Sequence, residues 1–352
     1  MSYREEDLKP AQRDSSGYFL FPEHWNFQQT TLGKFLKYRW TNSPPGPQVP
    51  TDKAELDATL PVLKPSFEEK IPQDHARVTW LGHASVLLEI PIDDHGQRVT
   101  LLTDPVYSER CSPYQWIGPK RYRPPPLQVH ELPEIDVVLL SHNHYDHLDD
   151  TTITKLNQRF PKLKWYVPLE NSMYLTPLGV PKENIIEQNW WDSTKATFHG
   201  SGELHFSLVP VQHYSRRGIM DQNRALWGGW VVQGLGGSFF FSGDTAYCST
   251  FKAIHHRFGK HSFSAIPIGA YEPRELFGVQ HCDPAEAVQI HKEVESLSSL
   301  GIHWGTWTLT FEHYLEPKEK LSEIMAKETE CPRDSFYTLN HGASKFVKWV
   351  LD

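Results

Sequence analysis

Short apolar runs of strand length begin at residues 78–81, 85–90, 99–103 and 135–140, each rich in Val, Ile and Leu and each closed by turn residues. They predict that a sheet starts there. A polar helix is expected over 149–160, a strand over 165–168, and a hairpin whose arms, 225–233 and 238–242, flank Gly234-Leu235-Gly236-Gly237. Further strand-like runs lie at 263–268, 301–304 and 336–339. Asp283-Pro284-Ala285-Glu286 reads as a helix start, with Asp at the N-cap, Pro at N1 and Glu closing a capping box. Strands and helices alternate without a fixed repeat, which fits two sheets packed together with helices outside.

The lead is different in texture. Residues 1–75 show no strand alternation and cluster prolines at Ser43-Pro44-Pro45-Gly46-Pro47 and Pro50. They are expected to wrap a main domain spanning 76–352. Within the lead, Leu32, Phe35, Leu36 and Trp40 fall at helical spacing, with Lys34, Lys37 and Arg39 off that stripe. This basic amphipathic turn or helix suits either a surface docked on the core or a membrane-surface element.

Bulk composition narrows the classes. No run approaches 18 apolar residues, which excludes a membrane-spanning helix, and hydrophobic residues make up only 39% of the 352-residue chain. Charged residues near Met1 and the lack of an apolar h-region predict no signal peptide and an intracellular protein. Cys111, Cys248, Cys282 and Cys331 are scattered and read as reduced thiols. A formal charge of −8 without a basic cluster argues against nucleic-acid binding.

The chemistry lies after the apolar run ending at Leu140, in Ser141-His142-Asn143-His144-Tyr145-Asp146-His147-Leu148-Asp149. In extended backbone His142 and His144 point the same way and can reach one metal, while a turn beyond them swings Asp146 and His147 toward a second. Imidazole with carboxylate suits zinc or a similar divalent ion.

This H-x-H-x-D-H run resembles the signature of the metallo-β-lactamase superfamily. The resemblance implies an α/β fold, an αββα sandwich of two mixed β-sheets flanked by helices. It also implies a distant His, a bridging Asp and a final His as the remaining ligands. His213, Asp244 and His303, each at or near a strand-like end, supply them. His142, His144 and His213 would then hold one Zn2+, Asp146, His147 and His303 the other, and Asp244 would bridge, with Asp146 and Asp244 as the catalytic carboxylates.

A finer resemblance runs from about Arg77 to Ser344. Trp80-Leu81-Gly82-His83-Ala84, Thr103-Asp104-Pro105, Gly118-Pro119-Lys120-Arg121, the metal run, Ile266-Pro267-Ile268-Gly269-Ala270-Tyr271-Glu272-Pro273-Arg274 and Ile302-His303-Trp304-Gly305-Thr306 resemble the N-acyl-phosphatidylethanolamine phospholipase D family. That implies hydrolysis of a membrane phospholipid, N-acyl-phosphatidylethanolamine, to N-acylethanolamine and phosphatidic acid through a hydroxide bridging two Zn2+. It further implies peripheral association with the cytosolic face of membranes and a homodimer. Because the metal motif is shared, the alternative is a same-fold metal hydrolase of a soluble ester, lactone or cyclic phosphodiester.

Other positions are read from this likeness or from their place in the chain. Asp104 resembles the family's carboxylate that orients a ligand imidazole; the alternative is an Asx turn ahead of Pro105. Gln280 and His281, just before the capped helix, are candidate phosphate contacts because helix N-termini attract anions, and a purely structural role fits them equally well. Tyr145 is set with them as a substrate contact, although it and Trp304, flanking ligands, also fit packing of the site. His83 and His341 follow strand-like segments and read as ordinary strand-end histidines rather than ligands.

Overall fold

The computed structural model describes residues 3–351 except Asn26, Gln29, Thr31, Ser43, Pro44, Pro45, Pro47 and Ser201. Most of the proline run at 43–47, and the side chain of Leu32, therefore lie outside the described residues.

Fourteen strands among those residues form two seven-stranded mixed sheets. The first holds β1 (His75–Gly82), β2 (Ser85–Pro91), β3 (Arg98–Thr103), β4 (Val137–Leu139), β5 (Lys164–Pro168) and β6 (Ile185–Gln188). The second holds β7 (Ser193–Phe198), β8 (Gly202–Val209), β9 (Gly229–Gly234), β10 (Gly237–Phe241), β11 (Phe263–Pro267), β12 (Ser299–Ile302) and β13 (Phe336–Tyr337); β14 (Ser344–Lys348) returns to the first sheet beside β1. In both sheets an antiparallel half gives way to a parallel half, from β3 to β6 in the first and from β10 to β13 in the second. Helices α1 (Leu32–Asn42) and α2 (Lys53–Thr59) lie in the lead. Then come α3 (Asp150–Arg159), α4 (Ser172–Leu175), α5 (Thr250–Phe258), α6 (Arg274–Phe277), α7 (Pro284–Glu293) and α8 (Glu316–Lys327).

Burial on both faces explains why the central strands read as continuous apolar runs rather than alternating ones. In β4, Val137 and Leu139 enter the core between the sheets, while Val138 packs outward with Ile153 and Leu156 of α3. Tyr166 of β5 stacks on Phe206 of β8 across that core, ring centroids 4.0 Å apart. Parallel strands all deliver their carboxyl ends to one edge of a sheet, and open α/β sheets build their sites there. Asp104 follows β3, His142 lies three residues beyond β4, Asp244 three beyond β10, and His303 directly after β12.

Several boundaries differ from the sequence expectation. The hairpin arm begins at Gly229 rather than 225, because Leu226 and Gly228 donate to the first sheet's side, to the Leu169 and Ser141 carbonyls. Strand β12 ends at Ile302, since His303 and Gly305 take left-handed backbone, φ 62° and 69°, and turn the chain out of the sheet. The lead lies across the body: Trp191 Nε1 donates to the Asp7 carbonyl, and Val62 bridges His341. No helix among the described residues is long and apolar enough to cross a membrane.

Candidate metal centre

The loop after β4 is pinned before it reaches its ligands. Ser141 donates its N–H to Asp104 Oδ1 at 2.7 Å, and Gly243 approaches so closely that a Cβ there would lie 2.4 Å from Ser141 Cβ. The ends of β3, β4 and β10 are thereby locked together. The seven expected ligands then meet in one place. His147 Nε2 and His303 Nε2 lie 3.5 and 3.4 Å from Asp146 Oδ2, and 3.1 and 3.0 Å from Asp244 Oδ2. Around one four-coordinate ion at metal–ligand distances near 2.0–2.2 Å, donors stand roughly 3.3 Å apart, and these four imidazole–carboxylate distances agree with that. On the other side, His144 Nδ1 is 2.8 Å from His142 Nε2 and 3.2 Å from His213 Nε2. Those two Nε2 atoms lie 3.9 and 3.7 Å from the same Asp244 Oδ2. Asp244 therefore stands between two three-residue groups.

Unpaired atoms test whether an ion fits. His147 Nε2, His303 Nε2 and Asp244 Oδ1 are buried without a hydrogen-bond partner. Buried polar atoms are normally satisfied, and leaving them bare costs about 1–3 kcal/mol each. Converging nitrogens and carboxylate oxygens of this kind suit a divalent cation, and the His/Asp cluster can hold metal.

The electrostatics without metal say the same. Burial opposes charge on His147 and His303, yet the surrounding carboxylates, Asp244 foremost, push His147 well above the usual imidazole range and His303 up to about 9. Burial alone would raise Asp146 and Asp244; the facing imidazoles, His147 first, hold both well below the ordinary carboxylate range. Burial and neighbouring imidazoles lower His142 well below its ordinary value, His144 to about 3 and His213 to about 4. The carboxylates thus retain protons on two imidazoles at the positions a cation would occupy.

Outer partners aim the rings. His147 Nδ1 is 2.6 Å from Asp104 Oδ2, His142 Nδ1 is 2.8 Å from Ser141 Oγ, and His213 Nδ1 is 3.0 Å from the Gln280 carbonyl. Burial pushes the Asp104 carboxyl up against the pull of His147 and Ser141. Gln280 thus enters the site through its backbone, which the sequence reading did not foresee. His281 lies with its ring stacked on His303, centroids 5.2 Å apart, and its Nδ1 is 3.9 Å from Asp244 Oδ2 and unpartnered. The N-terminus of α7 is not open to an anion: Asp283 Oδ1 accepts from the Glu286 N–H, Glu286 accepts from the Asp283 N–H, and Arg274 covers both. Tyr145 sits half-buried on the rim with the Arg217 guanidinium 3.9 Å over its ring. Trp304 is buried against Trp80, 5.3 Å between centroids.

Of the two histidines set aside in the sequence reading, His341 packs on Trp80 at 4.3 Å. His83 is in the site, its Nε2 3.0 Å from Asp146 Oδ2. Its stretch, Trp80-Leu81-Gly82-His83-Ala84, carries part of the family resemblance, but a lone His in a tight turn has no ligand spacing to mark it as part of the site.

A family model described as "Beta-lactamase superfamily domain" matches residues 99–304. The chain is 40% identical, over 84% of its length and 82% of the relative's, to the N-acyl-phosphatidylethanolamine-hydrolyzing phospholipase D 1 of Caenorhabditis elegans. The chain belongs to that phospholipase D family of the metallo-β-lactamase superfamily. A second member of the phospholipase D family, the mitochondrial protein of Saccharomyces cerevisiae, is 35% identical over 71% of the chain and 51% of its own length. The metallo-β-lactamase fold also appears in an isothiocyanate hydrolase from Delia radicum gut bacteria, which aligns with TM-score 0.56 at 19% identity, covering 78% of the chain and all of that structure.

Proposed function

We propose that the chain is a zinc-dependent phospholipase D that hydrolyses N-acyl-phosphatidylethanolamine to an N-acylethanolamine and phosphatidic acid. The observation that carries this reading is that the seven expected donors fall within adjoining His/Asp groups able to hold metal, in a chain 40% identical to a phospholipase D of that specificity. Two zinc ions held by these donors would supply Lewis acidity, lowering the pKa of water and offsetting charge on the phosphoryl oxygens. Asp146 and Asp244 keep the donor set anionic. Asp104, Ser141 and the Gln280 carbonyl hold the imidazoles in fixed rotamers, so little reorganisation is needed as charge develops. The unpartnered His281 Nδ1 is the atom that would donate to a phosphodiester oxygen, and Tyr145 with Arg217 borders the headgroup.

The proposed substrate would lie in a bilayer, and exposed apolar residues support peripheral docking. Leu36 and Trp40 of α1 are 55% and 89% exposed, whereas Phe35 of the same helix packs on Phe311. Changing Leu36 and Trp40 together to Asp is expected to lower sedimentation with liposomes; unchanged binding would remove α1 from the docking surface.

The deciding experiment measures products from vesicles of N-acyl-phosphatidylethanolamine, using native protein, a chelated and zinc-restored sample, and Asp146→Asn. Release of N-acylethanolamine with phosphatidic acid, lost on chelation and in the variant and restored by zinc, is expected. A folded, zinc-loaded protein inert on vesicles but active on a soluble ester, lactone or cyclic phosphodiester would replace the lipid substrate with a soluble one.

A further inference from the structure

His83 occupies a turn that the fold holds at some cost. Its φ of 50° is left-handed, a region that residues other than glycine rarely adopt and that persists where surroundings enforce it. The surroundings here are specific. The His83 N–H donates to Thr306 Oγ1 at 2.9 Å, and its carbonyl accepts from Trp80 Nε1 at 2.9 Å and from the His303 N–H at 3.0 Å. The ring is buried, 4.7 Å edge-on to Trp307 and 4.1 Å from the His303 ring.

All of this aims one nitrogen at one oxygen. His83 Nε2 is 3.0 Å from Asp146 Oδ2, the same atom that faces His147 and His303. His83 also falls with Asp146, His147 and His303 in a group able to hold metal; in the hydrogen bond to Asp146, however, an ionised carboxylate only accepts, so Nε2 is the nitrogen that carries the hydrogen. Asp146 needs such a partner. It lies in a turn on the rim, and its side chain is 15% exposed, against 2% for the other ligand carboxylate, Asp244. Rotation about its two side-chain bonds would carry the oxygens toward water.

We propose that His83 is a positioning residue: its Nε2–H holds Asp146 in the rotamer that lets Oδ2 share one metal position with His147 and His303. It is to Asp146 what Asp104 is to His147. The inference rests on the metal-centre reading and is independent of the substrate.

Two variants of similar length separate a donor from mere bulk. His83→Gln keeps an N–H at about the right reach, and His83→Met keeps the volume without a donor. Zinc content after dialysis against buffered zinc and chelator-competition affinities are the readouts, with thermal unfolding of the metal-free proteins confirming that each is folded. Wild type and His83→Gln are expected to hold two zinc ions. His83→Met is expected to hold one tightly and the second about 10–100-fold more weakly, the usual loss when an outer partner of a ligand is removed. Wild-type affinity in His83→Met would overturn the proposal. Equal weakening in both variants would also overturn it, since His83 would then be a ligand itself. An independent check needs no variant: in zinc-loaded wild type the His83 Nε2–H should persist in a long-range proton–nitrogen spectrum, and its loss would mean direct ligation. A wild type holding no zinc would fell the metal centre itself, whereas a zinc-loaded protein inert on lipid would leave this inference standing.

Discussion

Asp104 accepts from three donors, the Ser141 N–H and hydroxyl and His147 Nδ1, and is fully buried while doing so. It fixes His147 so that Nε2 faces the ligand cluster. Asp104→Asn keeps the size but offers only one acceptor oxygen, so a competing N–H must face either Ser141 or His147. Zinc affinity at the Asp146/His147/His303 position is expected to fall about 10–100-fold, read by chelator competition. Metal uptake should also be proton-linked at this scale. At pH 7 metal-free His147 and His303 hold protons, the latter up to about 9, and an ion must displace them. Affinity should therefore rise with pH toward about 9, roughly tenfold per pH unit for each proton displaced, and titrations in weakly buffered solution should show acid release.

At the scale of elements, the site depends on strand ends that approach without side-chain padding. Gly243 has φ 59° and faces Ser141 Cβ, so an alanine would be both strained and overpacked. Gly243→Ala is expected to lose about 2–4 kcal/mol, combining overpacking with the left-handed cost, and to weaken zinc binding by separating Asp244 from His142. Denaturant unfolding of the metal-free protein and zinc titration check the two effects separately. The elements that sequence reasoning found are the ones buried on both faces, such as β2, β3, β5 and β10, whose apolar runs cannot be mistaken for loops. Those it missed include three of the four sheet edges. β7, Ser-Thr-Lys-Ala-Thr-Phe, and β14, Ser-Lys-Phe-Val-Lys, carry lysines, as edge strands do to resist pairing with other chains. The third, β6, has only four residues. A charged or short edge lacks the pattern that announces a strand. The candidate donors of the His-rich run were legible because four of them crowd six positions, and the late ones only through the order that the superfamily resemblance implies. His83 and the Gln280 carbonyl were not, since one depends on a turn meeting a distant loop and the other on backbone alone.

For the whole molecule, the ionisation of the centre sets how stability depends on pH. His303 has its folded pKa raised to about 9, and His147 is raised as well. A raised imidazole contributes stability that is fully present below its unfolded value near 6.5 and is lost as pH climbs through the folded value. The depressed group, His142, His144 and His213, acts oppositely: its contribution is complete above pH 6.5 and fades below. Metal-free protein should consequently unfold at progressively lower temperature from pH 6.5 to about 9. Zinc-loaded protein, whose ligands carry no such protons, should not; parallel curves across that window would contradict the assignment.

Docking to a bilayer is also a property of the assembled molecule, because the exposed apolar residues come from separate parts of the chain rooted on the site. Residues 110–120 form a loop closed by the Arg110–Lys120 bridge, with Trp116 75% and Ile117 52% exposed at its tip. Its base, through Cys111, packs with Trp307 and Tyr145. The turn bearing Ile219 and Met220, 88% and 86% exposed, is tied to the metal loop by Arg217, which donates to the Asn143 and Leu148 carbonyls. Helix α1, whose span has Lys34, Lys37 and Arg39 and no acidic residue, adds a third exposed apolar segment that is locally basic on a chain of net charge −8. Complete burial of one large apolar side chain is worth about 1.5–3 kcal/mol. Changing Trp116 and Ile117 together to Ser should therefore lower vesicle partitioning roughly 10–100-fold, and more steeply in high salt if anionic lipid supplies part of the attraction. Turnover of substrate dispersed in detergent should hold, because neither residue reaches the ligands. Equal loss on vesicles and in detergent would place these residues in substrate binding instead of membrane docking.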